Sequence, residues 1–109
     1  MADVQPYLQK MVDRFDNPGL QTALKGFTRR LLFKFTDTGE DWLIRTIDGN
    51  EASLSKETSD QPDVTIITTT DVLIGVMDKK INGMTAYMQR KIQTKGAMED
   101  LMKLQKLMM

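Results

Sequence analysis

The sequence contains no cysteine and no histidine. Their absence excludes disulfides, thiolate or imidazole metal sites, cysteine nucleophiles and any serine–histidine–aspartate arrangement. A carboxylate pair or a lysine base remains available for acid–base chemistry, but such a group would have to stand among ordinary surface charges. We therefore predict that the protein is not an enzyme and that it holds no cofactor and no metal.

Net charge and long apolar runs are also absent. The 15 basic and 15 acidic side chains cancel, so no global field attracts nucleic acid, and basic residues interleaved with aromatic ones are missing as well. No stretch approaches the roughly 18 to 20 apolar residues of a membrane span, and the N-terminus lacks the layout of a secretory signal. The sequence predicts a cytoplasmic protein that does not bind nucleic acid.

The length of 109 residues suits a single domain, 1–109, without internal repeats or linkers. Its first part, residues 1–19, contains an amphipathic helix, because apolar side chains recur at helical spacing from Val4 to Phe15. Asn17-Pro18-Gly19 ends this pattern. Residues 20–109 form the rest of the domain.

Strand patterns dominate the middle of the chain. Alternating or β-branched apolar residues predict five strands, at 27–35, 41–47, 52–54, 63–69 and 91–95. Turn residues separate the first three strands, and a longer polar stretch precedes the fourth. We expect the first four strands to form an antiparallel meander.

Helical spacing returns in the last third, where it predicts helices at 71–77, 82–89 and 97–108. Seven of the nine methionines lie in this third. Methionine is unbranched and adaptable, so it suits an irregular or changeable apolar surface. Together the patterns predict an α+β fold, with a five-stranded, mostly antiparallel sheet and helices covering one of its faces.

Several segments in succession resemble the sterol carrier protein 2 (SCP2) family. They are Trp42-Leu43-Ile44 closing with Asp48-Gly49, then QPDVTIITT (61–69), KKINGMTAYMQRKIQTKG (79–96) and MKLQKLMM (102–109). The resemblance covers about residues 20–108 and is strongest from Pro62 onward. Two positions depart from it, since Gly83 stands where many members have proline and Arg90 stands where glycine is usual.

The resemblance implies that the sheet and its helices enclose a hydrophobic tunnel, which accepts sterols, fatty acyl chains, acyl-CoA or phospholipids. It implies no catalytic residue. The tunnel-facing positions of the strands would be Phe33, Phe35, Trp42, Ile44, Val64, Ile66 and Ile92. The helices would add Leu73, Met77, Met84, Tyr87, Met88, Met98, Leu101, Met102 and Leu104. For each of these residues, packing in the core without ligand contact is the alternative.

The leading hypothesis is a non-enzymatic carrier of apolar lipids. The alternative is an interaction or dimerisation scaffold for a lipid-metabolising enzyme, with its cavity filled by side chains. Basic residues gather in the last third, from Lys79 to Lys106, which favours transient contact with an anionic membrane surface unless they are simply solvated. Leu32, Leu43, Ile47 and, in the fourth strand, Ile67 alternate onto the outer face of the sheet, and an apolar patch there would favour a homodimer.

Overall fold

The computed structural model describes residues 4–16, 18–48 and 51–108. In chain order the elements are α1 (Gln5–Asp13), a 3-10 turn (Arg14–Asp16), α2 (Pro18–Ala23), β1 (Arg30–Phe35), β2 (Asp41–Ile47), β3 (Glu51–Ser55), β4 (Val64–Thr68), α3 (Thr70–Met77), α4 (Gly83–Met88), β5 (Gln93–Lys95) and α5 (Met98–Met108). Within the described ranges, no helix is long and apolar enough to cross a bilayer.

The strands form one sheet in the order β3-β2-β1-β4-β5. β1 pairs antiparallel with β2, placing Phe33 opposite Trp42, and parallel with β4, placing Phe33 opposite Ile66. The β2–β3 and β4–β5 pairs are antiparallel. The predicted α+β class with a mostly antiparallel five-stranded sheet is confirmed, whereas the predicted meander ends at β3.

The fourth strand lies beside β1 because residues 56–63 carry the chain past β2 and β1. Moving from β3 to the far side of β1 requires three strand spacings, about 14 Å. A connection of this length reaches further than that when extended, whereas a tight hairpin would have paired β4 with β3. The length of the polar stretch therefore decides the topology.

The outer face of the sheet differs from the expected apolar patch. Leu32 is 1% exposed and Leu43 is fully buried. The Arg45 Nη2 atom lies 2.8 Å from Glu57 Oε1, and Arg45 shares the face of Leu43, so this ion pair ties the segment 56–63 to the outer face. Of the four residues, Ile47 is exposed and Ile67 is half-buried, so these two side chains are all that the structure leaves of the predicted apolar patch.

The inward face is tightly packed where α1 covers it. Leu8 and Met11 of α1 are fully buried and belong to one cluster with Leu31, Phe33 and Ile44 of the sheet. α1 lies against β3, so it covers the β3–β2–β1 side of this face. Burying a large apolar side chain completely contributes roughly 1.5–3 kcal/mol, so these side chains contribute strongly to the stability of the fold.

The helix α3 connects the two sides of the inward face. Thr69 accepts a hydrogen bond from the Val72 N–H at 3.3 Å and caps the start of the helix. Asp37, in the turn between β1 and β2, accepts a second bond from the Thr70 N–H at 3.1 Å. Leu73 is fully buried in the core, which fixes α3 between the packed region and the helices that follow.

Candidate functional site

A cavity of about 1050 Å³ lies between the β4–β5 side of the sheet and the helices α3, α4 and α5. Its volume is at the upper end of the roughly 300–1,000 Å³ typical of ligand pockets. We call this cavity the groove. The residues that line it are Ile66, Val76, Lys79, Ile81, Asn82, Gly83, Met84, Tyr87, Ile92, Thr94, Met98, Leu101 and Met102.

The groove is open to solvent along its helical wall. Met84 is 51% exposed, Met98 is 67% exposed and Met102 is 59% exposed. A dry, closed void of this size would cost about 25 kcal/mol at ~24 cal/mol per Å³, more than the about 5–15 kcal/mol that stabilises a typical domain. An open wall avoids this cost, because water can enter the groove and fill the space that the side chains leave.

The connection between α3 and α4 shapes one end of the groove. Ile81 approaches α3 at Gly75, where a Cβ atom would lie 2.8 Å from Ile81 Cγ1. Because Gly75 has no side chain, Ile81 can pack against α3 and line the groove at the same time. Asn82 then starts α4, because its side chain accepts a bond from the Thr85 N–H at 3.1 Å.

Both short helices of the wall end in the same way. Lys79 follows α3 and Arg90 follows α4, and each has φ of 62°. The backbone N–H of Lys79 donates to Val76 O at 3.1 Å, and that of Arg90 donates to Tyr87 O at 3.0 Å. These are the bonds of Schellman motifs, in which the left-handed position is usually glycine. Each basic residue therefore occupies a conformation that costs about 1 kcal/mol relative to glycine.

The third wall element, α5, is anchored at its first turn. Arg29 Nε lies 3.0 Å from Asp100 Oδ2, and the Asp100 side chain is 9% exposed. Lys103 Nζ lies 5.4 Å from the centre of the Phe27 ring. Gly96, with φ of 138°, precedes the helix at a point where a Cβ atom would meet Asp63 O at 2.8 Å. These contacts hold α5 beside the groove while Met98 and Met102 stay exposed.

The groove offers shape and apolar surface rather than reactive groups. Its polar side chains include Lys79, Asn82 and Thr94, and the remaining wall is mostly aliphatic or thioether. The described residues contain no cluster of three or more acidic side chains that could hold a metal ion. Such a wall can bind an apolar molecule and orient one polar end of it.

The structure places the sixteen sequence-predicted lining residues in different environments. Seven lie on the groove wall, namely Ile66, Met84, Tyr87, Ile92, Met98, Leu101 and Met102. Six are buried in the core away from the groove, namely Phe33, Phe35, Ile44, Val64, Leu73 and Met77. Trp42 is partly buried and donates its indole N–H to Glu40 at 3.1 Å. Met88 is 75% exposed outside the wall, and the side chain of Leu104 lies outside the described residues.

Sequence reasoning missed the groove residues of the α3–α4 connection. Lys79, Ile81 and Asn82 line the groove together with Gly83 at the start of α4, although no apolar spacing marks these four residues. One signal was available, since Ile81 is an isolated apolar residue between polar neighbours.

A mixed five-stranded sheet, helices and an apolar groove between them define a class of α+β domain that can take up an apolar molecule. The model of the SCP-2 sterol transfer family matches residues 8–109. The chain therefore belongs to the SCP-2 sterol transfer family. No curated protein is significantly similar to it.

Solved structures support the same fold. The sterol carrier protein domain 2 of Helicoverpa armigera has a TM-score of 0.75 and 22% identity, covering 96% of this chain and 84% of that one. Palmitated SCP2L2 from Aedes aegypti has a TM-score of 0.73 and 18% identity, covering 98% of this chain and 95% of that one. The sec-alkylsulfatase Pisa1 from Pseudomonas sp. has a TM-score of 0.66 and 20% identity, with 81% of this chain covered. This chain spans only 13% of the length of the sulfatase.

Proposed function

We propose that the protein binds an apolar lipid in the groove and carries or presents it without changing it chemically. The observation that supports this most directly is a groove of about 1050 Å³ beside a core of buried apolar side chains. Each methylene group buried on binding contributes ~0.8 kcal/mol, against association costs of ~4–15 kcal/mol. A long acyl chain or a sterol supplies enough apolar surface for micromolar binding.

The wall composition favours a broad range of ligands. Met84, Met98 and Met102 have flexible thioether side chains that repack around guests of different shape. They are exposed in the structure, so binding would remove apolar surface from water on both partners. The proposal includes the closed tunnel, which forms when these side chains fold over a bound chain. The Aedes aegypti relative, whose structure was solved palmitated, is consistent with an acyl guest.

Two methionines provide a matched test of this proposal. Met102 lies on the groove wall, whereas Met88 is exposed outside it. We expect Met102→Asp to abolish uptake of a fluorescent fatty acid, because the carboxylate would be desolvated by the guest. Met88→Asp should bind as the wild type does. Circular dichroism checks that both variants are folded. Uptake by folded Met102→Asp equal to that of the wild type would contradict the proposal.

A second candidate function is a scaffold domain for a lipid-metabolising enzyme. It is favoured by the sec-alkylsulfatase, in which a similar fold makes up a small part of a much longer chain. Native mass spectrometry of the purified protein distinguishes the two functions. A bound mass of a few hundred daltons supports carriage, whereas a ligand-free mass together with no fatty-acid uptake supports the scaffold.

A further inference from the structure

One charged side chain lies on the wall of the groove. Among the lining residues that the structure describes, Lys79 is the only one that carries a charge. It stands in the connection between α3 and α4, close in sequence to the wall residues Ile81 and Asn82. A long apolar groove with one cation at its rim matches an amphiphile that has an apolar chain and an anionic head group.

The fold itself does not need a lysine at this position. The Schellman bonds at the end of α3 use backbone atoms, from Lys79 N to Val76 O at 3.1 Å and from Lys80 N to Gly75 O at 2.8 Å. Glycine would make the same bonds and would adopt φ of 62° without strain. Lysine occurs at this position despite its conformational cost. Because Lys79 lies on the groove wall, its charge can contact a bound ligand.

Strain alone does not mark a functional residue, as Arg90 demonstrates. Arg90 has the same φ of 62° and the same position after α4, but it does not lie on the groove wall. The comparison separates the two properties, because Lys79 and Arg90 share charge and backbone conformation and differ in access to the groove. Arg90 is therefore a matched control.

The charge of Lys79 is available to a ligand. Among the side chains that the structure describes, no carboxylate forms an ion pair with Lys79. The carboxylate next to it in sequence, Asp78, accepts a hydrogen bond from Tyr7 Oη of α1 at 3.2 Å. The Asp78 carboxylate is thus hydrogen-bonded to Tyr7 of α1. Lys80, which follows Lys79 in the chain, adds a second positive charge.

We infer that Lys79 selects lipids with an anionic head group, holding a carboxylate or phosphate at the rim while the acyl chain lies against the groove methionines. The inference rests on the proposed lipid binding and adds a specificity determinant to it. An interaction with a charged group contributes more than a neutral hydrogen bond, but the exposed rim screens it. The expected preference for an anionic over a neutral lipid of equal chain length is roughly three- to tenfold.

The test compares three lipids and four proteins by displacement of a bound fluorescent fatty acid at pH 8, with each lipid kept below the concentration at which it aggregates. The lipids are oleate, oleoyl lysophosphatidate and oleyl alcohol, which share one chain and differ in head group. The proteins are the wild type, Lys79→Gly, Lys79→Arg and Arg90→Gly. Both glycine variants should fold and should raise Tm by about 4 °C, since each removes the same backbone strain.

We expect Lys79→Gly to bind oleate, lysophosphatidate or both roughly three- to tenfold more weakly and oleyl alcohol unchanged. Lys79→Arg and Arg90→Gly should bind all three lipids as the wild type does. Weakening for oleate alone assigns a carboxylate, and weakening for lysophosphatidate alone assigns a phosphate. Failure of the wild type to bind any of the three lipids would overturn lipid binding itself. Binding by the wild type that Lys79→Gly leaves unchanged, or weakens equally for the alcohol, would overturn the role of Lys79 only.

Discussion

The two sides of the inward sheet face contrast sharply. Where α1 meets the sheet, Met11 of the helix and Phe33 of β1 are fully buried. On the groove side, Met98 and Met102 are more than half exposed. The residues are equally apolar on both sides and follow similar helical or strand spacing. The covering helices make the difference, because α1 lies directly against the sheet and α3–α5 leave the groove between themselves and β4–β5.

This contrast shows that one apolar pattern serves two purposes in a small domain. The packed side stabilises the fold, since Leu8, Met11 and Phe33 are fully buried there. The groove side retains apolar surface that a ligand can cover, and it contributes less to stability in the ligand-free state. A residue's contribution to the free energy of unfolding should therefore depend on its side of the sheet rather than on its type.

The largest effect is expected from the same substitution made on both sides. Met11→Ala should lower the free energy of unfolding by about 2–5 kcal/mol, because it leaves a cavity in a closed core. Met102→Ala should change it by less than about 0.5 kcal/mol, as is usual for exposed positions. Urea denaturation followed by circular dichroism measures both.

Lipid uptake should show the opposite order. Met102→Ala should weaken binding of a fluorescent fatty acid, whereas Met11→Ala should leave it unchanged at temperatures where the protein remains folded. Equal destabilisation by the two substitutions would mean that α5 closes on the sheet in solution. The distinction between a packed and an open side would then be lost.

A smaller effect is expected where the two sides meet, at Gly75 of α3. Gly75→Ala gains helix propensity of about 1 kcal/mol, but its Cβ atom would meet the side chain of Ile81, which is stiff because it is β-branched. Overpacking of this kind costs about 1–3 kcal/mol, so a net loss of about 1 kcal/mol is expected. Ile81 must move towards the groove, and fatty-acid uptake should therefore fall.

Gly83→Ala is the control for this substitution. A Cβ atom at Gly83 would lie 3.4 Å from Val76 Cγ1, an ordinary contact. It gains the same helix propensity without displacing Ile81. Stabilisation by Gly75→Ala, with uptake unchanged, would contradict the account of how Ile81 reaches the groove wall.

The sequence predicted the secondary structure well because the fold relies on strong local patterns. Apolar residues alternate around Phe33 and follow helical spacing through Met102, because one face of each element is buried. The spacing of apolar residues in the sequence shows this directly. The parallel pairing of β1 with β4 was missed, since periodicity describes faces and not neighbours. Only the length of the segment 56–63 favoured the crossover.

The site was harder to predict than the fold, for a physical reason. A residue that packs in the core and one that lines a groove have the same apolar character, so Phe33 and Met102 could not be separated by pattern. Their separation depends on how far the helices stand from the sheet. The departure at Arg90 was visible in the sequence, and its meaning became clear only from the backbone, where φ of 62° is the conformation that favours glycine.

The smallest expected effect concerns the hydrogen bonds that hold the start of α3, the helix shared by both sides. The Thr70 hydroxyl donates to Asp37 Oδ2, and the Thr70 N–H donates to Oδ1 at 3.1 Å. These bonds favour the carboxylate, the hydroxyl bond most of all, and they hold the pKa of Asp37 below its ordinary value of 3.8. Asp37 therefore contributes stability above that value, and the contribution is lost as the pH falls through the lowered pKa.

Asp37→Asn tests this dependence. At pH 7 the variant should be less stable than the wild type, because the amide is a weaker acceptor than the carboxylate. The difference should shrink as the pH falls below about 4, since the wild-type carboxyl group then becomes neutral as well. Thermal unfolding between pH 7 and pH 2 follows the difference. A gap that stayed constant across this range would mean that α3 is held by its packing on the buried side alone, with no help from the turn.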